Sequence, residues 1–280
     1  MCSSDLFLLI FATAVSTIAI EFGFANWTDL MPYSVGAFVM FGLGALPAGR
    51  LGDLWGRRVM MVIFFFGMGG AAILTALVQN AWQIAIAMTL LGAFAAIYHP
   101  VGIPMLVQNV PNPGFVIGLN GLVGNLGIAL AALLTGLLVK WAGWRAAFVV
   151  PGLLSIACGI VFVLKCPREL NSPSKGTGAK AAVQLTPALL ARAFFVMTAA
   201  AATSSILFNF TTNGNSQLIS ERFRGLIEDP ATLGMMLAAI YAVASFAQLV
   251  VGRLIDRMPL STLQFWLSVA QVPKIGRAHV

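Results

Sequence analysis

Two ionisable side chains stand alone inside long apolar runs, and either could carry a proton. Glu21 lies toward the end of the first run, and His99 lies in the fourth, within AAIYHPVGIPM. Isolated charge is costly in hydrocarbon, so each such residue is a functional candidate by default. A carboxylate in low dielectric holds its proton to higher pH, and imidazole changes charge near neutrality. Together they suit a proton-coupled cycle. The plainer reading puts Glu21 at the water interface and has His99 satisfy carbonyls freed by Pro100. Tyr98 and His99 adjoin Pro100 and Pro104, which remove helix hydrogen bonds and should bend that segment. Bent helices often line transporter cavities, so Tyr98 and His99 are expected cavity residues. In FNFTTNGNSQ, Asn209, Thr211, Thr212 and Asn213 offer neutral donors and acceptors. They suit a polar small molecule, or hydrogen bonds between helices. Asn120 and Asn125 are weaker cavity candidates.

Charge also interrupts the apolar pattern at two related places. Residues 49–58 read GRLGDLWGRR, and residues 252–257 read GRLIDR. Gly49 carries no side chain, so another helix can approach its backbone closely. Asp53 is an anion at a helix end, able to bind an Arg or the positive N-terminus of another helix; Gly252 and Asp256 are their counterparts in the second copy. Gly56 precedes Arg57 and Arg58, which can hold their loop against anionic lipid head groups; Arg257 closes the second copy. One copy alone would read as a topology signal. Two copies at equivalent positions predict a duplicated six-helix unit.

The elements that position these residues follow from composition. Of 280 residues, 59% are hydrophobic and only 9% charged, and the mean hydropathy is +0.92. Soluble domains carry about 25% charged residues, so lipid is the expected solvent. The net charge of +7 sits in short breaks between apolar runs, which is membrane topology and not a nucleic-acid surface. Spans are predicted near 7–25, 30–50, 59–78, 83–107, 115–139, 146–164, 193–215, 232–251 and 261–272, eight complete and the ninth partial. The fold class is an all-α integral membrane protein. Residues 7–165 form a six-helix bundle, and 191–274 form part of a second. Residues 166–190, rich in Pro, Ser, Gly and Lys, form a linker. Placing GRLGDLWGRR in the cytoplasm puts ten of the loop Lys and Arg residues there and four opposite. The N-terminus and the linker are therefore expected on the cytoplasmic side of a bacterial inner membrane. The three Cys form no CxxC pair, and no P-loop, HExxH or Ser/His/Asp set is present, so no cofactor, metal or enzymatic reaction is expected.

These motifs resemble the major facilitator superfamily of secondary transporters. There the loop between helices 2 and 3 reads roughly G-x-L-x-D-R-x-G-R-R. Gly49, Leu51, Asp53, Gly56, Arg57 and Arg58 match it, Leu54 departs from it, and Gly252, Leu254, Asp256 and Arg257 match the second-half copy. AGWRAAFVVPG, with Gly143, Trp144, Arg145, Phe148 and Pro151, is similar to the family's helix 5–6 junction. The resemblance implies two six-helix halves moving by alternating access, a small-molecule substrate, and loops that latch the halves and gate the cytoplasmic side. Proton-linked members often carry an Arg four residues before a helix 4 glycine, where this chain has Met88. Drug exporters often carry a Gly-Pro pair in helix 5, which is absent from GNLGIALAALLTG. Both departures weigh against drug–proton antiport, although YHPVGIP resembles fosmidomycin-resistance-type exporters. A facilitator without ion coupling and a non-transporting membrane sensor or scaffold are the alternatives.

The ends read MCSSDL and IGRAHV, the residues a sequencing adapter encodes on its two strands. Residues 1–6 and 275–280 are expected to be adapter translation, with a fragment of a twelve-helix member between them. The 280-residue product is then expected not to transport by itself.

Overall fold

Hydrocarbon offers no partner for a free N–H or C=O, so a spanning chain must satisfy its backbone within each helix. The computed structural model follows that rule: its described residues carry helices and turns and no strand. Those residues are 4–108, 110–167, 186–196, 198–199, 203, 222–223, 225–226 and 230–275. The helices are α1 (Ser4–Glu21), α2 (Val35–Trp55), α3 (Arg57–Ala76), α4 (Ala81–Ala95), α5 (Ile103–Val107), α6 (Pro113–Ala142), α7 (Trp144–Lys165), α8 (Pro230–Ile255) and α9 (Leu260–Ile275). Six described segments are long and apolar enough to cross a membrane, and three more, Leu9–Glu21, Pro187–Val196 and Leu260–Ala270, are shorter and apolar. Together they account for the nine expected spans, except that most of 193–215 lies outside the described residues.

The chain divides into two units, Met1–Arg168 with Ala238–Val280, and Glu169–Leu237. Within the second, Pro187–Val196 is helical. Within the first, α3 packs on α7, α2 on α4, α3 on α4, and α1 on α6. The core they enclose is aromatic and aliphatic, with Phe11, Phe64, Met68, Ile84, Met88 and Trp144 buried. The opposite faces expose Leu46, Trp82, Ile86, Trp141 and Leu164, as a surface solvated by lipid must. Lipid and core are equally apolar, so close fit between backbones supplies much of the association. A Cβ on Gly92 would run into the Ala37 carbonyl of α2, and one on Gly69 would stand 2.6 Å from the Gly152 carbonyl oxygen of α7.

Between α4 and α5 the chain forms a π-helical turn, Tyr98–Gly102. Pro100 has no N–H, so the regular α ladder stops there, while Val101 N–H still reaches the Ile97 carbonyl at 3.2 Å. The expected bend thus takes the form of a widened turn, a feature frequent at functional sites.

Gly92→Val forces the α2 and α4 backbones apart and is expected to cost about 1–3 kcal/mol. Gly42→Ala enters open space and should cost nothing measurable. Thermal midpoints in detergent check this: a drop of several degrees for the first variant and no drop for the second.

Candidate functional site

The second copy of the charged motif caps α6. Asp256 follows α8. Its Oδ1 accepts from the Gly114 N–H and its Oδ2 from the Phe115 N–H, each at 2.8 Å. Both donors lie in the first turn of α6, whose own N-cap, Asn112, makes no side-chain hydrogen bond there. The first residue of α6, Pro113, has no N–H to satisfy. One carboxylate therefore covers the next two open donors of the turn and sits at the positive end of the helix dipole.

Glycine makes that contact sterically possible. Gly252, one turn before Asp256, lies against Gly114 and Gly118: a Cβ there would stand 2.6 Å from the Gly114 oxygen and 2.8 Å from the Gly118 Cα. Arg253 lays its guanidinium 5.3 Å from the centroid of the Phe115 ring. Gly252, Arg253 and Asp256 thus engage one turn of α6 together, while Arg257 is exposed. The close approach and the anion-to-helix contact expected of Gly49 and Asp53 are made here by their second-copy counterparts, Gly252 and Asp256.

The first copy holds its own bundle. A Cβ on Gly49 would stand 3.3 Å from the Pro100 Cβ and one on Gly52 would stand 2.9 Å from a Val101 methyl, so α2 lies directly on the π turn. Gly56, at φ +92°, takes a conformation that other residues adopt at a cost and turns the chain from α2 into α3. Arg58 donates from Nε to the Cys166 carbonyl (3.0 Å) and from Nη2 to the Val163 carbonyl (2.8 Å). It is a cation on the open carbonyls at the C-terminus of α7. Arg57 donates to Gln108 Oε1 at 3.1 Å. The arginines therefore tie helix ends together, a role that sequence alone does not name. Asp53 is exposed and makes no hydrogen bond or ion pair among the described residues.

At the bend, Tyr98 and His99 point different ways. Tyr98 is buried, and its hydroxyl donates to Asn120 Oδ1 of α6 at 2.6 Å. His99 is exposed, its ring edge-on to Phe41 (5.9 Å) and Tyr98 (5.6 Å). Tyr98 and Asp256 thus meet α6 within two turns of each other. Asn209, Thr211, Thr212 and Asn213 lie outside the described residues.

Glu21 ends α1 in a clamp. Its Oε2 accepts from Trp144 Nε1 (2.7 Å) and Arg145 Nη1 (2.9 Å), and Arg145 Nη1 stands 2.7 Å from its Oε1. Arg145 also donates to the Val78 carbonyl beyond α3 (3.2 Å) and lies 4.4 Å from the centroid of the Trp144 ring. The group joins the ends of α1, α3 and α7. Opposite charges at the ends of two apolar runs were the available signal for this pair. Among the described residues no cluster of His, Cys, Asp and Glu could hold a metal ion.

Residues 1–272 match the family model of the Major Facilitator Superfamily. Among curated proteins, a multidrug resistance protein MdtG of Escherichia fergusonii is 32% identical over 127 residues, 45% of this chain and 31% of that protein. A probable actinorhodin transporter of Streptomyces coelicolor is 28% identical over 140 residues, 48% of this chain and 24% of that protein. The match thus spans about a third or less of either relative.

Asp256→Ala leaves two first-turn N–H groups of α6 without their acceptor. It is expected to lower stability by about 1 kcal/mol, within the 0.5–2 kcal/mol range of lost caps. Asp256→Asn keeps a neutral acceptor and should lose less. Heat unfolding of the two variants in one detergent gives the order: wild type highest, Asn next, Ala lowest.

Proposed function

The chain belongs to the Major Facilitator Superfamily, and from that premise we propose that it works in secondary transport of a small organic solute by alternating access. The observation that carries this reading is the Asp256 cap on α6. It joins a loop of the second half to a helix end of the first through groups that separate intact. Such a contact stabilises one arrangement of the halves, and the equilibrium shifts when it is lost. Asp53 is the matching group of the first copy, exposed and available for the equivalent role. The names of the relatives favour export of the solute over import. The distribution of Lys and Arg supports a bacterial inner membrane with the N-terminus and the 166–190 linker in the cytoplasm.

The proton is the candidate coupling ion, and His99 is the stronger of the two candidate carriers. It is exposed on the bent helix beside Phe41. Glu21 is already neutralised by Arg145, so its assigned role is to hold α1 against α7. Met88 is buried in the core of the first bundle; with no Arg at that position, coupling through His99 would differ from that of members that carry one. The Asn209 and Asn213 amides remain proposed solute contacts from the seventh span.

The test is dye efflux from cells lacking their own exporters, with the gene's full reading frame expressed. A lipophilic cationic dye should accumulate less than in vector controls. Asp256→Ala should slow its extrusion about fivefold, the factor that roughly 1 kcal/mol supplies. His99→Gln should remove the response of extrusion to an imposed pH gradient. Equal accumulation with and without expression, for this dye and a panel of neutral and anionic ones, contradicts the transport reading. Extrusion unchanged by Asp256→Ala contradicts the latch.

A further inference from the structure

We propose that the α3–α7 pair binds one anionic phospholipid, with the phosphate at Lys165 and an acyl chain in the groove beside it. The proposal rests on the membrane-spanning reading of the chain but not on transport.

The groove has a volume of about 650 Å³ and is walled by Phe65, Leu154, Ala157, Cys158, Val161 and Phe162. Lys165 and Cys166 close one end. Phe65, Leu154, Cys158 and Phe162 also wall an apolar cavity of about 290 Å³ that reaches Tyr98 and Gly102 at the π turn. The two spaces therefore adjoin, and a chain lying in the groove has apolar room behind it.

Length selects the occupant. From Leu154 to Lys165 the helix advances about 16 Å at 1.5 Å per residue. That is roughly half of a 30 Å hydrocarbon core, the depth of one leaflet. An extended hydrocarbon chain lies along a shallow apolar groove of this length.

Charge selects the head group. Lys165 is exposed in the last turn of α7. Arg58 is fixed beside it on the Val163 and Cys166 carbonyls. Neither α3 nor α7 contains an Asp or Glu. An apolar groove that ends at a lysine, with a second cation bound to the neighbouring carbonyls and no acid on either helix, matches an acyl chain ending in a phosphate. Basic sites between helices at the membrane surface recognise anionic head groups in this way.

Cys158, where groove and cavity meet, reports occupancy. The full chain with Cys2→Ser and Cys166→Ser is placed in nanodiscs of phosphatidylcholine alone or mixed with phosphatidylglycerol, and its reaction with neutral N-ethylmaleimide is timed. We expect labelling of Cys158 about fivefold slower with phosphatidylglycerol, in line with one lysine's contribution. Lys165→Gln should abolish the difference, and Lys165→Arg should keep it. Equal rates in the two lipids, or slowing that survives Lys165→Gln, overturn the proposal. Efflux does not enter the measurement, so its outcome is separable from that of the transport reading.

Discussion

The contact on which the arrangement depends is a carboxylate placed on the end of a helix that is not its own. A helix leaves its first-turn N–H groups and last-turn carbonyls open, and a membrane protein cannot leave them so where water is scarce. Here long-range charged side chains cover several of these ends. Asp256 takes the N–H groups of Gly114 and Phe115 on α6, and Arg58 takes the Val163 and Cys166 carbonyls of α7. Arg145 bridges Glu21 and the Val78 carbonyl at the ends of α1 and α3. Each bond satisfies a backbone group and joins two helices, so the same few charges finish the secondary structure and fix its packing.

These three ties differ in what they hold. Arg58 and the Glu21–Arg145 pair join helices of one bundle, where glycine contacts such as Gly92 on Ala37 and Gly69 on Gly152 already set the spacing. Asp256 joins α6 to the loop after α8 and depends on Gly252 for its approach. α6 carries the Asp256 contact near its start and the Tyr98–Asn120 bond two turns later. One rigid element therefore meets both the latch and the bent helix.

Much of this was legible in the sequence because hydropathy and topology are local signals. The apolar runs located the helices, the paired GRLxD motifs located the charged loops that bind helix ends, and Pro100 with Pro104 located the bend. Partners were less legible. Nothing in the local pattern near Arg58 names the carbonyls of α7, more than 100 residues away in the chain. Arg57 and Arg58 look like lipid contacts from sequence because the surface facing an interface and the surface facing a helix end carry the same residue types. Glu21 looks isolated for a similar reason: its partner lies in another helix, and only the fold brings Arg145 to it. The form of the bend, a π turn with Tyr98 inward and His99 outward, depends on how α2 packs on Pro100 and Val101, which spacing alone does not encode.

The most direct test of this account is amide hydrogen exchange across residues 113–118 in wild type and Asp256→Ala. Capped first-turn amides should exchange slowly in the wild type, and removal of the carboxylate should speed Gly114 and Phe115 about fivefold, as the loss of about 1 kcal/mol implies. Exchange within α3 should not change. If the Gly114 and Phe115 amides exchange at the same rate with and without the carboxylate, Asp256 is not what holds α6, and the latch must lie elsewhere.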